Sequence, residues 1–64
     1  HVVRAIYRNN FGECLLATGK LDEAAKELND SHAVILAAFK DGHPRTNKSA
    51  ARLKALEEAK AAKK

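Results

Sequence analysis

The stretch Arg8-Asn9-Asn10-Phe11-Gly12-Glu13-Cys14-Leu15-Leu16-Ala17-Thr18-Gly19-Lys20-Leu21-Asp22-Glu23-Ala24-Ala25-Lys26-Glu27-Leu28 decides the architecture. Its apolar residues recur three and four apart on either side of Gly19, so it reads as two amphipathic helices joined by a tight turn. Upstream, Val3, Ile6 and Tyr7 continue the spacing that runs on through Phe11, Cys14 and Leu15, which predicts a first helix over 2–18. Gly19 suits the left-handed position just past a helix C-terminus. Leu21 then opens a second helix whose first turn holds Asp22 and Glu23, where carboxylates meet unpaired backbone amides.

The face of that second helix runs Leu21, Ala24, Ala25, Leu28, His32, Ile35 and Phe39, predicting one helix over 21–40. Asp30 and Ser31 weaken the propensity at its middle, and a bend after Asn29 is the alternative. Asp41-Gly42-His43-Pro44 is the strongest punctuation in the chain: glycine ends one helix, and proline at the start of the next gives up an amide that would be unpaired anyway. His43 is expected in the turn beside that N-terminus. A third helix is predicted over 44–61, with Ala50, Leu53 and Leu56 as its apolar seam and 62–64 as a frayed tail.

Helices of this length on short connections pack antiparallel, so the expected fold class is all-α, a three-helix antiparallel array forming one domain over 1–64. The expected packing set is Phe11, Gly12, Leu15, Leu21, Ala24, Leu28, Ile35, Phe39, Leu53 and Leu56. Gly12, Ala24 and Ala25 are expected at the point where the first two helices come closest.

A chain of 64 residues buries only about 60% of its unfolded surface. Its apolar share is rich in alanine and holds only three aromatic rings, Tyr7, Phe11 and Phe39. Bulky core material is therefore scarce. The single cysteine, Cys14, has no internal partner, and its place in the helical spacing predicts a buried thiol, with a reactive thiol as the alternative. No run approaches the roughly 20 apolar residues of a membrane span, and a cytoplasmic setting fits best. The opening His1-Val2, without a start methionine or a cap, reads as part of something longer.

The net charge of +4 is unevenly spread. Residues 1–42 carry five basic and six acidic side chains, a balance of −1, whereas residues 43–64 carry seven basic and two acidic ones, a balance of +5.

At this point a family resemblance emerges. Phe11-Gly12, Leu15, Gly19, Leu21-Asp22-Glu23-Ala24 and Leu28 fall at the offsets of a tetratricopeptide repeat, and the chain resembles one such repeat followed by the first helix of another. Arg8 stands where the family usually has tryptophan. The family's usual proline would fall at Leu36. Here the helix carries on instead to Gly42-His43-Pro44-Arg45-Thr46, with Ser49 beyond, which resembles the extended repeats of the kinesin light chain type. In the third helix Leu53 fills the leucine slot, but Lys54 replaces glycine and Glu57 an aromatic residue. The resemblance therefore implies a C-terminal repeat plus a capping helix.

No catalytic constellation, cofactor motif or metal-ligand spacing is present, so no catalytic residue, metal ligand or cofactor is assigned. His32 and Cys14 could face each other across the helix pair, yet two potential ligands do not make a structural zinc site, which needs four. His32 is expected at the edge of the core with a local hydrogen bond, with a metal or pH-switch role as the alternative. Function is instead implied by the resemblance, since the first helices of successive repeats in that family line a peptide-binding groove. The groove-facing residues would be Ile6, Asn9, Asn10, Glu13 and Leu16 in the first helix, and Lys48, Ala51, Arg52, Ala55 and Glu58 in the third. Asn9, Asn10, Glu13, Lys48 and Arg52 are the candidate peptide-binding residues. Lys48 and Arg52, one turn apart, are expected to converge on an acidic or C-terminal carboxylate group, as in family members that hold a peptide terminus.

The implied function is non-enzymatic protein or peptide binding, or scaffolding. One alternative is a small basic domain contacting nucleic acid or another polyanion through Arg45, Lys48, Arg52, Lys60, Lys63 and Lys64. The other is a structural cap or self-association module of a helical array, using Val2, Val3 and Ile6. No membrane partner is expected.

Overall fold

A computed structural model of the chain describes residues 2–62. It contains α1 (Val2–Ala17), α2 (Leu21–Phe39) and α3 (Pro44–Ala62), and no strand among the described residues. The fold is an all-α, antiparallel three-helix array. The middle helix α2 packs along both neighbours, while α1 and α3 meet over a much smaller area. Asp30 and Ser31 do not break α2, which is continuous from end to end. The buried Ser31 hydroxyl donates back to the Glu27 carbonyl at 2.6 Å, a bond that by itself disfavours a helix interior, and its oxygen accepts from Asn9 of α1 at 2.9 Å, a contact between helices that offsets the penalty. Of the tail expected over 62–64, Ala62 is helical and residues 63–64 lie outside the described residues.

The first turn is a Schellman closure. Gly19 takes φ 82°, its N–H reaches the Leu16 carbonyl at 3.1 Å, and the Lys20 N–H reaches back to Leu15 at 2.9 Å. The second turn differs from expectation. α2 stops at Phe39, and Lys40 itself adopts φ 71° and ψ 167°, a region occupied almost only by glycine. Gly42 supplies a further left-handed residue at φ 88°. The turn is locked by the Thr46 hydroxyl, which donates to the Lys40 carbonyl at 2.7 Å. His43 caps α3: its Nδ1 accepts the Arg45 N–H at 3.0 Å, and its ring lies against Phe39 with centroids 4.6 Å apart.

Leu15, Ala24, Leu28 and Leu56 form the apolar core, with Leu16, Leu21, Ala25 and Leu53 packed against it. Ala5 and Ile35 are buried nearer the other end of the array. Several expected core positions are not there. Phe11 is 56% exposed and Tyr7 69% exposed, and Cys14 is exposed too. The reason is a rotation of α1: its buried stripe is Ala5, Asn9, Gly12 and Leu15, which turns Val3, Tyr7, Phe11 and Cys14 outward. On α3 the buried stripe is Thr46, Ser49, Arg52 and Leu56, so Ala50 is exposed and only the leucines of the expected seam face inward.

The close crossing of α1 and α2 lies at Gly12, opposite Leu28 and Glu27 rather than Ala24 and Ala25. A β-carbon at position 12 would sit 2.7 Å from Leu28 Cδ2, 2.8 Å from Leu28 Cγ and 3.3 Å from Glu27 Cβ. Leu28 is fully buried and has little room to yield. Gly12→Ala gains about 1 kcal/mol of helix propensity but overpacks at a cost of about 1–3 kcal/mol. The expected net outcome is a loss of roughly 1 kcal/mol, and a larger loss for Gly12→Leu, read by urea denaturation. Lys40→Gly should act in the opposite direction, relieving backbone strain and raising stability by about 1 kcal/mol in the same measurement.

Candidate functional site

Between α1 and α3 the interior is polar. Asn9, on the buried stripe of α1, donates from Nδ2 to Ser31 Oγ in α2 and to Ser49 Oγ in α3, each at 2.9 Å. Its carbonyl accepts Arg52 NH1 at 2.6 Å. One amide thus joins all three helices. Arg52 NH1 also donates to the Asn10 carbonyl at 2.9 Å. The far edge of the guanidinium meets Glu13, Nε to Oε2 at 3.1 Å and NH2 to Oε1 at 3.2 Å, a two-point pairing of guanidinium and carboxylate. No buried side-chain nitrogen or oxygen among the described residues lacks a partner, which is the condition under which a buried polar network is tolerated.

The network assigns the candidate binding residues to different places. Asn9 and Arg52 are buried, Asn10, Glu13 and Lys48 are exposed. Lys48 and Arg52 do not offer two open cations as expected, because Arg52 is already bonded to Asn9, Asn10 and Glu13. Beside the network lies a small cleft lined by Ile6, Asn9, Asn10, Ile35, Arg45, Lys48 and Arg52. Its volume of about 10 Å³ has room for roughly one water-sized group. None of the lining residues is acidic. The side chains of Arg45 and Lys48 have no ion-pair partner among the described residues. Arg45 thus joins the cationic wall, although periodicity alone did not single it out for this role. Leu16, expected to face the groove, packs against the core instead, while Ala51, Ala55 and Glu58 are exposed.

His32 makes its local hydrogen bond with Ser49 Oγ, 2.7 Å from Nδ1, and not with Cys14. Serine and histidine are at the distance of a nucleophile and its base, but Ser49 is buried and its oxygen also accepts from Asn9. The joining of Ser31, Ser49 and His32 is not visible in the spacing, because Ser49 lies on α3 and its partners Asn9 and His32 on α1 and α2. Arg8 pairs across the outer side of α1 and α2 with Glu27 at 2.8 Å and Asp30 at 3.3 Å. Hydrogen bonding and attraction to Glu27, then the charge of Asp30, hold the guanidinium above its ordinary pKa.

No group of three or more histidine, cysteine, aspartate or glutamate side chains among the described residues is placed to hold a metal ion. No helix among the described residues is long and apolar enough to cross a membrane. Lys63 and Lys64 of the basic tail lie outside the described residues. Comparison with family models, with curated proteins and with solved structures finds no match.

The buried network sets a test of its own. Asn9→Ala and Arg52→Met should each cost about 1–3 kcal/mol, since each strands polar groups of the other helices. Because the two side chains share a bond, the double variant should be less destabilised than the sum, with a coupling of about 1–3 kcal/mol in urea melts.

Proposed function

We propose that the chain is a non-enzymatic peptide-binding module of tetratricopeptide-like design, whose α1/α3 face receives an acidic peptide group, with a free C-terminal carboxylate as the best fit. The observation that carries this reading is the cleft between α1 and α3. There Arg45 and Lys48, cations with no ion-pair partner among the described residues, line the cleft with the Asn10 amide and the apolar Ile6 and Ile35. Arg45 and Lys48 are three residues apart on one helix, close enough to share one anion. Asn10 spends its carbonyl on Arg52, which leaves its amide donors for a ligand. The packing of Gly12 against Leu28 supports the repeat-like design, because this is the slot where the resemblance calls for glycine.

The reading is tested by an NMR titration of the ¹⁵N-labelled chain with a short peptide bearing a free C-terminus and with its C-terminal amide. The free acid should shift amides of α1 and α3 bordering the cleft, and the amide should not. Replacing Arg45 and Lys48 together by glutamate should abolish the shifts while circular dichroism stays unchanged, because both side chains are exposed. Equal shifts with acid and amide would discard the reading. A parallel titration with a short DNA duplex decides the polyanion alternative.

A second reading has one observation in its favour. Val3, Tyr7 and Phe11 form an exposed apolar stripe on the outer side of α1, as expected for a helix that adjoins another element of an array.

A further inference from the structure

We propose that Glu13 is a built-in carboxylate that occupies Arg52 until a ligand's own carboxylate replaces it, so that the groove rests in a self-masked state. The inference rests on the peptide-binding reading above and adds how that site is regulated. It follows from an asymmetry around one guanidinium. The inward NH1 of Arg52 donates to the carbonyls of Asn9 at 2.6 Å and Asn10 at 2.9 Å. Those bonds hold the group in place whatever happens at its outer edge.

At that outer edge the bonds to Glu13 measure 3.1 and 3.2 Å, longer than the roughly 2.7–2.9 Å usual for a charge-assisted pair. The Arg52 side chain is only 9% exposed, whereas that of Glu13 is 54% exposed. Moving Glu13 aside therefore needs only rotation of a solvated side chain. It leaves Nε and NH2 of Arg52 fixed and paired with nothing, on a residue that lines the cleft together with Arg45 and Lys48. An entering carboxylate takes up the two donors that Glu13 releases, and no proton changes hands. No acidic side chain is among the residues that line the cleft, so Glu13, through its pairing with Arg52, is the internal competitor for those two donors.

A competitor on the same molecule lowers apparent affinity by the fraction of time it leaves the site open. Removing it should tighten binding about five- to tenfold. The experiment titrates the wild type, Glu13→Ala and Glu13→Gln with acetyl-Ala-Ala bearing a free C-terminus and with the same peptide as its C-terminal amide. The readouts are backbone amides and the Arg52 Nε–H resonance, and circular dichroism verifies that each variant is helical. Both variants should bind the free acid more tightly than the wild type, with the Arg52 Nε–H moving in each titration, and the amide should bind none of the three. Affinities that are equal in all three proteins, or weaker in the variants, overturn the masking role and leave the groove reading standing. Absence of acid-specific binding in all three proteins overturns the groove reading and the masking role with it.

Discussion

A side-chain amide carries two N–H donors and a carbonyl acceptor, and Asn9 uses all of them inside the protein. Its donors reach one serine on each of the other two helices, and its carbonyl takes an arginine NH1. Those bonds fix the rotation of α1 about its own axis and the height of α3 beside it. The apolar contacts alone would not do so, because α1 and α3 meet over only a small area. Directional bonds take over where non-directional burial is thin. The position of the cleft, and the orientation of Arg52 at its inner wall, are consequences of that one amide.

The size of the chain explains why such a device is needed. With few bulky residues and much alanine, four buried residues form the apolar core, at one end of the array. Gly12 lets α1 descend onto Leu28, which makes that small core dense. In the polar middle the same closeness brings the amide, hydroxyl and guanidinium groups within bonding distance. Close approach and complete hydrogen bonding are therefore two sides of one packing solution, since a wider helix spacing would leave buried polar groups unpaired.

The same geometry separates the two sides of α1. Its inner side joins a buried network and a cationic cleft, and its outer side exposes Val3, Tyr7 and Phe11. Arg8 closes the remaining flank against Glu27 and Asp30. Within the network, Arg52 divides its bonds between the amides of buried Asn9 and exposed Asn10 and the carboxylate of exposed Glu13. One half of its guanidinium is thus structural, and the other half faces a group that solvent can draw away.

The all-α class, the number of helices, the glycine turns and the histidine beside proline were legible in the sequence, because periodicity, left-handed glycine and helix capping are local properties of the chain. Gly12 was legible as a crossing point, though its partner proved to be Leu28 rather than Ala24 and Ala25. The buried face of α1 was not legible. Spacing allowed a stripe through Phe11 and Cys14 as readily as one through Asn9 and Gly12, and only contact with the other helices decides which is covered. The sequence likewise placed Lys48 and Arg52 one turn apart, but not the carboxylate and amides that claim Arg52. A helical pattern specifies which residues share a side, whereas burial and hydrogen-bond partners arise between helices, from groups far apart in the chain that only the tertiary fold brings together.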